Sequence, residues 1–175
     1  MLITVSLIYN TLKLGISPMP SSKKATAAIL KLIDETGTGA IIDLGSGWGN
    51  FVIPMAKIKP QRQVIGYELS FLPWLISILL KKIFRLNNLT LHRQNFFSVN
   101  LPEASVLVCY LYPEAMSKIQ RNLTLNRLNV DFLISNNFAL PSWQADKVIQ
   151  LDDFYKSPIY LYKVVASKRT NVLSS

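Results

Sequence analysis

Apolar residues recur along this chain with two periods that take turns, one suited to helices and one to strands. After a Pro18-Met19-Pro20 turn, Ser21 or Ser22 is placed to cap a helix whose apolar face is Ala25, Ala28, Ile29, Leu32 and Ile33, and Gly37 and Gly39 stop it. The unbroken run Ala40-Ile41-Ile42-Asp43-Leu44 reads as a buried strand, and a glycine-rich turn leads from it into a helix that Pro60 ends after Lys59. Residues 63–67 predict the next strand. Pro73 is placed as the first residue of a long helix reaching about Asn87, because a first-turn residue needs no N–H. Short strands are expected at 90–93 and 106–111, a helix from Glu114 to about Leu125, and a strand at 130–135. Two further strands, at 147–151 and 159–165, flank the turn-like Asp152-Asp153-Phe154-Tyr155-Lys156-Ser157-Pro158.

Strands alternating with helices predict an α/β fold, a mostly parallel, doubly wound sheet with helices on both faces, since parallel neighbours need long crossovers. The last two strands have too little chain between them for a crossover and are expected to form an antiparallel C-terminal hairpin. With 175 residues the chain is sized for one domain. That domain is expected over 21–166, after an amphipathic lead-in at 1–20, where Leu2, Val5, Tyr9 and Leu12 recur at helical spacing, and before a frayed tail at 167–175.

Half of the residues are apolar and only 17% are charged, yet Lys and Arg number 19 against 10 Asp and Glu, a formal charge of +9. The apolar share excludes a disordered basic tail. The surplus leaves nucleic acid and an anionic membrane surface open as partners. The lone cysteine, Cys109, excludes an intramolecular disulfide and a thiolate metal cluster, and its apolar neighbours make it a buried strand thiol, in keeping with a reducing, cytoplasmic setting. Residues 1–12 have neither a basic n-region nor a small-residue cleavage site, so no secretory signal is expected. The run 71–80 is interrupted by Pro73 and ends at Lys81-Lys82, short of the roughly 20 residues a spanning helix needs.

The most specific chemistry lies in Asp43-Leu44-Gly45-Ser46-Gly47-Trp48-Gly49, where a strand ends and a helix begins. Backbone amides and the helix dipole converge at such a junction, and glycines admit a ligand close to the main chain. Glycines at alternate positions differ from the dinucleotide fingerprint, and a carboxylate at Asp43 suits a ligand with a cationic part better than a pyrophosphate. Glu68, at the end of the next strand, is placed to accept from two vicinal ribose hydroxyls. Loop, cationic partner and ribose together describe S-adenosylmethionine. The competing readings are a dinucleotide site, or a plain turn with an exposed strand-end carboxylate.

Asp43 to Gly49 resembles motif I of the class I S-adenosylmethionine-dependent methyltransferases, and Gly66-Tyr67-Glu68-Leu69 resembles the acidic motif that follows it. Pro18-Met19-Pro20, Gln94-Asn95-Phe96-Phe97, Tyr110-Leu111-Tyr112-Pro113 and Phe138-Ala139-Leu140-Pro141-Ser142-Trp143 extend the likeness over about 18–164. The chain is thereby similar to the lysine methyltransferases that modify mitochondrial inner-membrane carriers and the c subunit of ATP synthase, and to their bacterial and archaeal relatives. The resemblance implies a Rossmann-like class I fold, S-adenosylmethionine held by Asp43, Gly45, Ser46, Gly47, Gly49, Glu68, Leu69, Asn95 and Phe96, and a protein lysine as methyl acceptor. Tyr112 and Pro113 fall at the position where class I enzymes present the acceptor.

Three departures from the family pattern stand out. Members commonly carry an acid where this chain has Asn95, near the adenine amino group; an amide carbonyl still accepts there, more weakly. Trp48-Gly49-Asn50 stands where many relatives have Asp-Gly-Arg, and Trp48 either covers the cofactor or packs on the helix behind it. Eukaryotic members carry an amino-terminal membrane anchor, which is not expected here, so any membrane contact is expected to be peripheral.

His92, the only histidine, has no partners for a zinc site and reads as structural; no metal is expected. Tyr112 either orients an amine or packs at a strand end, and Phe138, Pro141 and Trp143 form either an opposite lip or core. The apolar stretch 71–85 is either a buried sheet-covering helix or, with Trp74 and its terminal cations, a membrane-surface element. Two alternatives to lysine methylation remain: an RNA or DNA methyltransferase, and a cofactor-binding interaction protein without turnover. Against nucleic acid, the cations are spread, ten Lys and Arg in residues 1–87 and nine in 88–175, and no Asn-Pro-Pro-Tyr element is present.

Overall fold

The computed structural model describes residues 22–164, so the lead-in at 1–20, Ser21 and the tail lie outside the described residues. Helix α1 (Lys23–Ile33) is capped by Ser22, whose Oγ accepts from Ala25 N–H at 3.1 Å, and buries Ala25, Ile29, Leu32 and Ile33. Strand β1 (Ile41–Leu44), helix α2 (Val52–Ile58) and strand β2 (Val64–Tyr67) follow. Helix α3 (Phe71–Ile83) leads to strand β3 (Leu89–His92), and a short 3-10 turn at Phe96–Ser98 leads to strand β4 (Ala104–Cys109). Helix α4 (Pro113–Thr124) precedes strands β5 (Val130–Asn136), β6 (Lys147–Gln150) and β7 (Pro158–Lys163).

The seven strands form one sheet in the order β3-β2-β1-β4-β5-β7-β6. The first five run parallel, while β7 is antiparallel to both β5 and β6. The expected hairpin is therefore present, but its second strand is inserted between β5 and β6. The chain reverses direction between β1 and β4 in the sheet, which opens a crevice beyond the carboxyl ends of β1, β2, β4 and β5. Register aligns those ends, with Leu44 opposite Tyr67 on one side and Cys109 on the other, and Cys109 opposite Ser135.

Helices α1, α2 and α3 cover one face around Ile29, Ile33, Val52, Met55 and Val106, and α4 covers the other around Met116, Ile119, Leu107 and Leu133. Phe138, Leu140, Trp143 and Ala145 complete the second face as an irregular segment. It is pinned where Ser135 Oγ donates to Phe138 O at 2.6 Å and Leu140 N–H donates to Tyr162 Oη at 2.9 Å.

The expected third helix is displaced at both ends. It begins at Phe71, two residues before Pro73, which sits in a first turn whose N–H groups have no intrahelical partner anyway. It ends at Ile83 rather than near Asn87, because Arg85 turns the chain with φ 52°. Burial divides this helix: Pro73 and Ser77 are buried, Trp74, Ile78 and Leu80 pack on the core, and Phe71, Leu79 and Ile83 remain exposed. It covers the sheet along one stripe and leaves an apolar stripe outward.

Candidate active site

The loop after β1 is shaped by its glycines. Gly45 and Ser46 both donate their N–H groups to Tyr67 O at 2.9 Å, which ties the loop to β2. Gly47 has φ +53°, and a Cβ there would meet no side chain, only Gly45 O at 4.0 Å, so its outer face is open to a ligand. Gly49 is confined instead: at φ +84°, a Cβ would press on Ile53 and Ser77 at 3.0 Å. Ser77 Oγ in α3 also donates to Gly47 O at 3.1 Å, so the loop rests on two helices. Ser46 turns its side chain inward against Gly66, and its hydroxyl has no partner among the described residues. Trp48 is half-buried.

Two carboxyl groups flank this loop. Glu68 Oε2 accepts from Gly47 N–H at 2.9 Å and Oε1 from Ser70 N–H at 2.6 Å. Each oxygen retains a lone pair, so the carboxylate is held in place and remains able to accept from two hydroxyls. Asp43 is different. It is only 2% exposed and its Oδ2 has no partner among the described residues. Burial, reinforced by the negative charge of Glu68, pushes its carboxyl up to about 8. A neutral acid with an unsatisfied Oδ2 at the start of an open glycine loop is arranged for a cation, which would restore its ionised form.

Leu69 lies exposed beside Glu68, and Phe96 is half-buried with its ring 4.4 Å from that of Phe97. These apolar surfaces bracket the space beyond Glu68. Asn95 Oδ1 accepts from Phe97 N–H at 3.0 Å and so caps the 3-10 turn. Its second lone pair is the one left for a ligand. The Tyr67 and His92 rings stack at 5.1 Å, which gives His92 the packing role expected of it.

Across the crevice, Tyr112 and Pro113 start α4: Tyr112 is its N-cap residue and Pro113 its first residue. Tyr112 also packs against the second core. Its neighbour Tyr110 is better engaged in polar contacts. Asn137 Nδ2 donates to Tyr110 Oη at 3.1 Å, and the Tyr110 and Phe138 rings stack at 6.2 Å. Asn136 and Asn137, at the carboxyl end of β5, each carry a buried Oδ1 without a partner among the described residues. Sequence reasoning passed over this pair, although an Asn-Asn dipeptide immediately after a buried strand is a visible signal. It also read 152–158 only as a turn, whereas Phe154 and Tyr155 there are 94% and 81% exposed and meet edge to face. Phe138 and Trp143 both pack on the second core, while Pro141 is exposed.

Comparison with known proteins bears on this arrangement. The model of the ANTKMT methyltransferase domain matches residues 43–147, more than half of the chain and from Asp43 through both sides of the crevice. The chain belongs to that family. Among the relatives of this ANTKMT-domain protein, the lysine N-methyltransferase of the ATP synthase c subunit from Xenopus laevis is 27% identical over 141 residues, 78% of this chain and 59% of that protein. The chain thus spans about three fifths of that relative's length. A protein-lysine N-methyltransferase of Saccharolobus islandicus is 24% identical over 151 residues, 83% of this chain and 92% of that protein. An RNA methyltransferase from Salinibacter ruber, solved with S-adenosyl-L-homocysteine, superimposes with a TM-score of 0.72 at 22% identity over 83% of this chain and 94% of that one. That likeness establishes the Rossmann-like methyltransferase fold expected from the motifs.

Proposed function

We propose that this chain is an S-adenosylmethionine-dependent methyltransferase acting on the side-chain amine of a protein lysine. The observation that carries the cofactor is the buried Asp43 carboxyl, its Oδ2 without a partner among the described residues, at the start of a loop whose Gly47 is open on its outer face and held by Glu68. These residues fit a ligand that combines a cation with a ribose. Asp43 would supply charge to its cationic part, Glu68 would accept from the ribose hydroxyls, and Leu69, Asn95 and Phe96 would hold the adenine. When bound, S-adenosylmethionine supplies an electrophilic methyl group on a sulfonium. The remaining task of the protein is positional, to aim the acceptor lone pair along the line of displacement.

A lysine acceptor must first lose a proton to solvent. From an ordinary pKa near 10.4, that costs about 4 kcal/mol at pH 7.4, and desolvation within the crevice lowers it. The neutral amine would then offer its lone pair to the methyl group that the bound cofactor supplies, and the crevice would hold it in line. The family relationship supports lysine as acceptor, since the curated relatives carry that specificity in their names.

An acceptor embedded in or lying on a membrane is supported by what the carboxyl edge exposes. Phe71 opens α3 directly after β2, and Phe154 and Tyr155 lie on the connection from the carboxyl end of β6 to β7. Lys23, Arg93 and Lys156 share this edge, with Arg93 5.5 Å from the Phe71 ring centroid. Farther along α3, Leu79 and Ile83 stand exposed beside Lys81 and Lys82, extending the contact expected through 71–85. Near an anionic leaflet each cation contributes about 1 kcal/mol. A peripheral position at such a membrane follows.

Calorimetry tests the cofactor: S-adenosylmethionine binds the intact protein, and Gly47→Arg, which fills the loop's open face, abolishes binding. Labelled cofactor with fractionated lysate tests the acceptor. Acid-stable, lysine-mapped label in membrane protein supports the reading, and label confined to nucleic acid rejects it. For the surface, Phe154→Ser with Tyr155→Ser reduces sedimentation with phosphatidylserine vesicles while cofactor affinity stays unchanged; undiminished sedimentation removes these residues from the contact.

A further inference from the structure

A neutral primary amine has two N–H donors and one lone pair, and only the lone pair takes part in methyl transfer. An acceptor pocket for it needs two hydrogen-bond acceptors that occupy the N–H groups and leave the lone pair aimed outward. The carboxyl end of β5 provides such a pair. Asn136 is 3% exposed and Asn137 follows it in the left-handed region at φ 68°, and the Oδ1 atoms of both are buried without a partner among the described residues. A buried acceptor left without a hydrogen bond is destabilising, so two in successive residues stand uncompensated unless a ligand completes them.

The surroundings hold these residues at the carboxyl edge of the sheet. Asn136 pairs with Ile159 of β7, Asn137 N–H donates to Pro158 O at 2.8 Å, and Asn137 Nδ2 donates to Tyr110 Oη at 3.1 Å. With its Nδ2 committed to Tyr110, Asn137 is left with Oδ1 as its free polar atom. Tyr110 stands at the end of β4, two residues before the Tyr112-Pro113 start of α4. The pair therefore lies on the acceptor side of the sheet, separated from the Asp43 and Glu68 strands by β4. Amide oxygens are also the appropriate chemistry: they accept N–H groups without the full negative charge of a carboxylate, which would hold a lysine in its protonated form.

We propose that Asn136 and Asn137, with Asn137 oriented by Tyr110, form the cradle that receives the acceptor amine. This rests on the methyltransferase reading above and adds the residues that hold its acceptor. It needs no turnover to test. The protein is loaded with S-adenosylhomocysteine at pH 8, and its side-chain amide resonances are followed while n-butylammonium, a stand-in for the lysine side chain, is titrated in. A parallel titration uses N,N-dimethylbutylammonium, which carries the same charge but fewer N–H donors. The expected result is a saturable shift of the Asn136 and Asn137 amide signals and a preference of about tenfold for the primary ammonium, the equivalent of one to two hydrogen bonds. Asn136→Leu and Asn137→Gly, the latter suited to the positive φ, each reduce that preference to within about twofold. Asn136→Asp, which adds a charge in place, tightens n-butylammonium binding by about tenfold and serves if the leucine variant does not fold. Equal affinity for the two ammonium ions, or a preference that survives Asn137→Gly and one Asn136 variant, overturns the cradle. Failure of S-adenosylhomocysteine to bind the wild-type protein instead rejects the underlying methyltransferase reading, so the two failures are distinct.

Discussion

Replacing Asp43 by Asn removes one ionisable group from the floor of the glycine loop and leaves its shape in place. In the free protein the Asp43 carboxyl is raised from 3.8 to about 8, first by burial and then by Glu68. An acid whose folded value is raised adds stability that is complete below its unfolded value and lost as pH rises through the folded one. The wild-type free protein therefore loses stability between about pH 4 and pH 8. At pH 7 the folded chain keeps protonated a group that would ionise on unfolding. With 7 − 3.8 = 3.2 pH units at 1.36 kcal/mol each, the cost is about 4 kcal/mol. Asn carries no such cost. Asp43→Asn is expected to match the wild type near pH 4 and to exceed it by about 4 kcal/mol at pH 7, on the order of 10 °C in Tm for a domain of this size. Thermal melts of both proteins without cofactor, in half-unit steps from pH 4 to 8.5, provide the measurement. The same variant loses cofactor affinity, since the charge facing the ligand's cationic part is gone. Parallel Tm curves for the two proteins across this range would refute the assignment of a buried, neutral Asp43.

The same ionisation couples to binding. A cationic ligand draws the Asp43 proton off, so S-adenosylmethionine is expected to bind more tightly as pH rises from 6 to 8 and to release a fraction of a proton near pH 7. Calorimetry in two buffers of different ionisation enthalpy reads that proton, and identical heats in both exclude the coupling. Glu68→Ala is expected to weaken cofactor binding by more than about tenfold, since a charged hydrogen-bond partner is worth about 1.5 to 3 kcal/mol and Gly47 also loses its anchor. Unchanged affinity by calorimetry means that the ribose is held elsewhere. The buried Cys109 thiol is pushed up to about 12, chiefly by burial, so at pH 8 it is expected to resist iodoacetamide in the folded protein and to react in urea. Rapid labelling of the native form, read by mass spectrometry, would contradict its place in β4.

What could be read along the chain was local in origin. The Asp43 to Gly49 loop and Glu68 were legible because a strand, a glycine turn and a following acid are set by neighbouring residues, and the backbone conformation of Gly47 and Gly49 admits few alternatives. Strand and helix order followed from apolar periodicity for the same reason. The insertion of β7 between β5 and β6 was not legible, since antiparallel partners at a sheet margin are chosen by long-range register rather than by local pattern. Nor were the limits of α3, where Arg85 takes a positive φ that nothing in its neighbours announces. The acceptor side depended most on tertiary packing. Tyr112 drew attention by its place before Pro113, yet the hydrogen bond to Asn137 belongs to Tyr110, and Asn95 uses its amide oxygen to cap a turn. The glycine loop and the acids proposed to hold the cofactor could be named from the primary structure, because each stands at the end of a strand that its own neighbours define, although Asp43, Glu68 and Asn95 are far apart in the chain and only the pairing of β1 and β2 brings Glu68 to Gly47. The placing of Asn136 and Asn137 beside Tyr110 depends on β4, β5 and β7 meeting side by side, and only burial in the folded sheet leaves Asp43 neutral and the oxygens of Asn136 and Asn137 without a partner among the described residues.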